Sequence, residues 1–331
     1  MSLPPRHHSL RHLLGLAIVA AAIAGCGTSS DHALRITLAA LNTPAPKAAP
    51  AAPTTPEPGC ANLTASLRPP ATLPAPGAMP AGSYMAAIRR RGFLRAGVNA
   101  GLLDFGYLNP ATGQIEGFEI DLVRQIVKAI FGNDDSNHYR LVALTVPQRI
   151  PFVQDGRVDI VVDAVTITCQ RKQQVDFSTV YYDAKQRVLV PSSSSARSIA
   201  AFAGKPVCAS AQSTPIQVMN ALPHPPRTVG LPQAIDCLVA LQEGRIDAIS
   251  TDDSILLGFK TQDPNTKIIG ASLADVPYGM VISKAHPDFV RFVDGVIADL
   301  RADGTWRRLF DNWLGHIPGS NPSLPPAQYD G

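Results

Sequence analysis

From Leu94 to about Leu314, short apolar strand-like runs alternate with helix-like segments, and few folds accommodate that order. The first set is Leu94–Val98, Glu119–Phe131, Tyr139–Leu144, Ile150–Gln154 and Val158–Val162. A second set is Pro206–Ala209, Pro215–Ala221, Ala234–Glu243, Ala248–Thr251, Ser254–Lys260 and Lys267–Ile269. This is the βαβ pattern of doubly wound sheets. The folded part begins near Tyr84 and is long enough for two modest α/β lobes. Near the end, Phe289, Phe292, Val293, Val296 and Leu300 recur at helical spacing, and a second amphipathic helix is predicted near Thr305–Leu314.

One junction carries chemistry. The run Ile160-Val161-Val162 leads into Ala164-Val165-Thr166-Ile167-Thr168, then a polar, basic, helix-prone segment that begins Cys169-Gln170-Arg171-Lys172. Thr168 occupies the place of an N-cap, which puts Arg171 at the third helical position. Free amides at a helix start attract anions, and a guanidinium there can grip a carboxylate with two parallel bonds. Open α/β sheets bind ligands at the carboxyl ends of their strands. The segment therefore predicts a clamp for a small-molecule carboxylate.

The same stretch, Thr166-Ile167-Thr168 with Arg171, Val175, Phe177-Ser178 and Tyr181-Tyr182, resembles a signature of the family 3 solute-binding proteins of amino-acid ABC transporters. Further elements follow in the family's order. They are Gly113 with Gly117-Phe118-Glu119-Ile120-Asp121-Leu122, Arg149-Ile150-Pro151 with Gly156 and Asp159, and Gly204-Lys205 with Ser213-Thr214. After these come Leu241, Gly244, Asp247-Ala248 and Asp252-Asp253, then Tyr278-Gly279-Met280 and Gly304-Thr305-Trp306. The resemblance implies a periplasmic-binding-protein-like α/β fold: two doubly wound lobes joined by a two-strand hinge, with a ligand cleft between them. It places the hinge crossings near Asp183–Arg187 and Val276–Met280, and two crossings permit closure on a ligand. The expected divisions are a first lobe over 83–183, a second over 184–278, and a return to the first over 279–331.

The resemblance also implies roles. Arg171 takes the ligand α-carboxylate, Thr166 contacts the ligand through its amide and hydroxyl, and Ala164 offers its carbonyl oxygen to the ammonium group. Asp252 pairs with the α-ammonium; the competing role is an N-cap for the following helix, which Asp253 could fill instead. Ser213 and Thr214 precede Pro215, a residue favoured at a helix start, and would face the cleft from the second lobe. Arg149 matches a position where glutamate/aspartate binders carry an arginine facing the side chain; the alternative is a surface arginine paired with Asp155 or Asp159. Asn99 stands where glutamine binders carry an aspartate. Phe105 and Tyr107 are expected to form an aromatic wall, with a core position as the alternative for Phe105. If Arg149 needs the ligand as its counter-charge, glutamate and aspartate are preferred over glutamine and asparagine.

Residues 1–25 read as an export signal, with Arg6, His7, His8, Arg11 and His12 as a basic head and a short apolar core over Leu13 to Ala24. Ile23-Ala24-Gly25-Cys26 resembles a bacterial lipobox, which implies a lipidated Cys26 and an exported protein on the outer face of the cytoplasmic membrane. Residues 26–82 read as a tether, since eleven of the 30 prolines fall between Pro44 and Pro80. The formal charge is +3; losing Arg6 and Arg11 with the signal leaves 3 − 2 = +1. Near-neutrality argues against nucleic acid as a partner.

Beyond Cys26, four cysteines remain, and in an exported chain they suggest disulfides with three possible connectivities. Cys208 ends a strand and Cys237 begins a nearby helix, which favours Cys208–Cys237 and leaves Cys60–Cys169. No H-E-x-x-H, C-x-x-C or G-x-S-x-G motif occurs, so neither a metal nor a cofactor is expected, and a dehydratase-like enzyme on this fold is the weakest alternative. The predicted partners are an amino acid and a transporter permease or, in a sensor, a membrane signalling protein. The chain is expected to be a monomer.

Overall fold

A computed structural model describes residues 60–317 and 324–330. The export signal, Cys26 and the tether as far as residue 59 lie outside the described residues.

Two five-stranded sheets organise the chain. In the first, Leu94–Val98 lies between Tyr139–Ala143 and Ile160–Val162, parallel to both. Val281–Ile282 then adds antiparallel to Ile160–Val162, and Asp176–Phe177 pairs antiparallel to it at the edge. Ile160, Val161 and Val162 are all buried, as expected for a central strand covered on both faces. In the second sheet, Pro206–Ser210 lies between Arg227–Leu231 and Ala248–Asp252, parallel to both. The long strands Tyr182–Pro191 and Thr266–Tyr278 complete it, antiparallel to each other, with a register shift between Ile269 and Ala274. The chain leaves the first sheet along Tyr182–Pro191 and returns along Thr266–Tyr278. This two-strand ribbon is the connection between two α/β lobes.

Helix Phe118–Phe131 covers the first sheet with Phe118, Leu122, Val123, Ile126, Val127 and Ile130. It starts at Gly117, whose φ of 138° is open to glycine; a Cβ there would lie 2.4 Å from the Phe105 carbonyl oxygen. The helix Pro287–Ala302 packs beside it through Phe289, Phe292, Val293, Val296 and Leu300, the residues whose spacing predicted it.

The predicted tether reached residue 82, but residues 60–82 are packed on the first lobe. Cys60 is bonded to Cys169, with Cα atoms 5.6 Å apart. Lys172 donates from Nζ to the carbonyls of Asn62, Leu63 and Ala65, at 3.3, 3.4 and 2.7 Å. Ser66–Leu67 pairs in parallel with Tyr329–Asp330. A Cβ on Gly295 would meet the Leu73 side chain at 2.6 Å. The physical reason is the set of apolar residues interleaved with the prolines: Leu67, Leu73 and Met79 pack against the main core. The second disulfide joins Cys208 to Cys237, so both bonds follow the pairing favoured by the sequence.

Candidate functional site

The carboxyl ends of the central strands of both sheets face one cavity. From the first lobe it is lined by Asn99, Leu102, Arg149, Ala164, Thr166 and Arg171, and from the second by Ser210, Ser213, Thr214, Thr251, Asp252 and Ile255, among others. Of the ten residues the sequence points to, eight line this cavity, and Phe105 and Tyr107 do not. Phe105 is 1% exposed and packs edge-on against Phe118, Tyr182 and Tyr278, so it belongs to the core. The strand pair Gly101–Leu102 and Gly106–Asn109 turns there, and Leu102 meets the cavity instead. Tyr107 hydrogen-bonds Glu116 and is absent from the cavity wall.

Arg171 lies in the short helix Cys169–Gln174. The Thr168 hydroxyl accepts from its backbone N–H at 3.2 Å, which is the predicted cap. The guanidinium Nη1 donates to the Thr166 carbonyl at 2.8 Å and so is aimed by the strand end that precedes the helix. Arg171 has no carboxylate partner among the described residues. Burial and then the neighbouring Arg149 lower its pKa to about 10, and it stays charged at neutral pH. Such an arginine can take a carboxylate from a ligand without giving one up.

Across the cleft, Asp252 ends the strand Ala248–Asp252 and is 4% exposed. One of its oxygens, Oδ2, accepts from the Tyr278 hydroxyl at 2.6 Å, while Oδ1 is buried with no partner. Burial pushes its carboxyl up to about 6, against the opposing Tyr278 hydrogen bond. Asp252 stands at the N-cap position of the helix Asp253–Gln262 but its side chain makes no capping bond; Asp253, the first helical residue, accepts at Oδ1 from the backbone of Ser254 and of Lys185. Ser213 stands before the helix Thr214–Asn220 and its hydroxyl is also buried without a partner. Unpartnered buried oxygens are uncommon, and those of Asp252 and Ser213 belong to residues that line one cavity.

Ala164 has a left-handed φ of 45°, a strained conformation for a residue with a Cβ. Glu119 holds it there: the carboxylate accepts from Ala164 N at 2.7 Å and from the Tyr181 hydroxyl. Burial, then Asp163, raise the Glu119 carboxyl to about 7. Sequence reasoning saw Glu119 only as part of a motif and gave it no role.

Arg149 lines the cavity, as the first sequence alternative expects, and the surface alternative fails. It is 8% exposed, so it is no surface arginine, and neither Asp155 nor Asp159 pairs with it. Asp159 binds Arg91, Arg95 and Tyr84 at the far end of its strand. The partner is Asp163: Arg149 donates from Nε at 2.7 Å and from Nη2 at 2.8 Å, a bidentate pair. Nη1 makes no hydrogen bond among the described residues. The Asn99 amide also donates to Asp163, at 3.0 Å, and lies 3.4 Å from the Gln233 side-chain oxygen. Gln233 belongs to the other lobe and donates to the Leu144 carbonyl at 2.9 Å, so it ties the lobes together on this side. Asp163 and Gln233 have no signal in the sequence, and Tyr278 appears there only within a motif and the hinge crossing, because their partners are set by tertiary packing.

A family model described as bacterial extracellular solute-binding proteins, family 3, matches residues 94–316. The ABC transporter glutamine-binding protein of Bacillus subtilis is 32% identical over 235 residues, spanning 71% of this chain and 85% of that protein. The L-glutamate/L-aspartate-binding protein of Pseudomonas aeruginosa is 27% identical over 254 residues, spanning 73% and 84%. Among solved structures, an ancestral arginine-binding protein bound to glutamine matches with a TM-score of 0.63 at 28% identity, covering 68% of this chain and 99% of that one.

Proposed function

We propose, for a chain that belongs to family 3 of the bacterial extracellular solute-binding proteins, that it captures a polar amino acid between its lobes and delivers it to an ABC transporter permease. The family is one of binding receptors, so the dehydratase alternative is set aside. One observation carries the ligand class. The cavity sets a carboxylate-free arginine, Arg171, opposite a buried carboxylate with a vacant oxygen, Asp252. Those two groups complement a zwitterion, with the α-carboxylate on Arg171 and the α-ammonium on Asp252. Thr166, Ala164, Ser213 and Thr214 supply the remaining polar contacts.

The ligand side chain then meets Asn99 and Arg149. Sequence reasoning favoured an acid because an amide would leave Arg149 without a counter-charge. Asp163 already provides that charge, so this argument no longer separates acid from amide. Nη1 of Arg149 can donate to a side-chain oxygen of either kind. The reading is therefore glutamate and aspartate together with their amides. Calorimetry with these four ligands tests it. Arg171→Ala and Asp252→Ala should each weaken binding by roughly 2–5 kcal/mol, about 30- to several-thousand-fold. Near-parental affinity in a folded variant removes that residue from the site.

The lipobox-like Ile23-Ala24-Gly25-Cys26 supports an anchor on the outer face of the cytoplasmic membrane. Cys26→Ala should release the protein from the membrane fraction or block its maturation; retention identical to the parent refutes the anchor.

A further inference from the structure

We propose that Asp163 is the residue that sets charge selectivity at the side-chain end of the cleft, by holding Arg149 as a neutral pair. The inference rests on the reading of the cleft as an amino-acid site and goes beyond it. Asp163 touches no ligand in this account and acts through Arg149, so it is a positioning residue.

Every polar contact of Asp163 points to this task. It is fully buried at the end of the strand Ile160–Val162. Oδ2 accepts from Arg149 Nε, while Oδ1 accepts from Arg149 Nη2 and from Asn99. Both cavity-lining partners are thereby oriented by a single carboxylate. Burial pushes the Asp163 carboxyl up, while Arg149 and Asn99 draw it down. No other acid bonds Arg149 among the described residues. Glu119 feels Arg149, but its Oε1 accepts from Ala164 and Tyr181 and its buried Oε2 has no partner. Asp252 is bonded to Tyr278. Arg171 carries the same sign as Arg149 and adds to the positive field.

The physical consequence is a bias that can be moved in both directions. A guanidinium already neutralised in a buried site gains little from a second negative charge, so acid and amide compete on nearly equal terms. Asp163→Asn keeps the shape and one acceptor but leaves the Arg149 charge uncompensated, and an acidic ligand then becomes its counter-ion. Arg149→Gln leaves the Asp163 charge instead, and an acidic ligand is repelled.

The test is calorimetric affinity for glutamate and glutamine in the parent and three variants, with circular dichroism to establish folding. The readout is the ratio of the two dissociation constants, which a general loosening of the fold does not shift toward one ligand. Relative to the parent, Asp163→Asn should shift the ratio toward glutamate by about tenfold or more. Arg149→Gln should shift it toward glutamine by a similar factor, and the double variant should return close to the parental ratio. A folded Asp163→Asn protein with the parental ratio overturns the proposal. If that variant does not fold, the other two decide: an unchanged ratio in Arg149→Gln overturns the proposal, and a shift toward glutamine that the double variant reverses upholds it. A parent that binds neither ligand refutes the reading of the cleft itself, whereas a parent that binds both while the variants keep its ratio refutes only the role of Asp163.

Discussion

Lowering the pH from 7 to 5 should weaken ligand binding, and Asp252 sets the size of the effect. Its carboxyl is pushed up to about 6 by burial, and the proposed pairing with the α-ammonium group needs it ionised. With a pKa of about 6, the charged fraction is roughly 0.9 at pH 7 and roughly 0.09 at pH 5, so the dissociation constant should rise about tenfold, or ~1.4 kcal/mol. Below pH 6 each binding event must also release a proton. Titrations in two buffers of different ionisation enthalpy would count it. The same shift acts on stability with the opposite sign. A folded-state carboxyl pKa above the unfolded value means the native state binds the extra proton. Its contribution to ligand-free stability is therefore greatest below the ordinary carboxylate range and is lost as pH rises from about 4 to 6. Glu119 and Asp294, both raised to about 7 chiefly by burial, act on stability in the same direction. Raising the pH thus separates the two readouts: it strengthens binding while these groups weaken the empty fold. Affinity that stays flat between pH 5 and 7, with no proton released, would refute the pairing of Asp252 with the ammonium group. Asp252→Asn should abolish the pH dependence along with most of the affinity.

Other outcomes follow from single contacts. Tyr278→Phe removes the one hydrogen bond on Asp252 and should raise that carboxyl further, moving the midpoint of the binding profile to higher pH; an unchanged midpoint would show that the hydroxyl does not tune it. Replacing Cys208 and Cys237 by serine opens a loop with a sequence separation of 29 and should cost ~3.5 kcal/mol in denaturant unfolding. The Cys60–Cys169 bond closes a separation of 109, and its loss should cost up to about 5 kcal/mol, measured the same way. A loss below ~1 kcal/mol in either case would show that the bond does little to restrict the unfolded chain.

What could be read in the sequence was what local chemistry determines. The Thr168 cap and the position of Arg171 follow from a few adjacent residues, and the structure has both. The helix over Pro287–Ala302 announced itself by the spacing of its apolar residues. The counter-ion of Arg149 was not legible, because Asp163 lies across a helix and a strand, while Asp155 and Asp159 sit nearer in sequence and bond elsewhere or not at all. Phe105 could not be assigned either, since an aromatic residue in a cleft-edge turn and one in the core beneath it look alike in sequence. Proline density reads as an extended arm as far as residue 82, whereas from residue 60 on Leu67, Leu73 and Met79 anchor it against a core that local sequence does not reveal.

The fastening of the arm has a mechanical consequence. Chain upstream of Cys60 enters the molecule at a covalent node on Cys169, two residues from Arg171, and the far end of the chain is stitched to the same lobe through Tyr329–Asp330. Any pull arriving from the amino terminus therefore loads the first lobe and bypasses the ribbon of Tyr182–Pro191 and Thr266–Tyr278. The second lobe hangs from that ribbon alone as far as covalent structure is concerned, like a jaw on a mount, so such a pull does not pass through it.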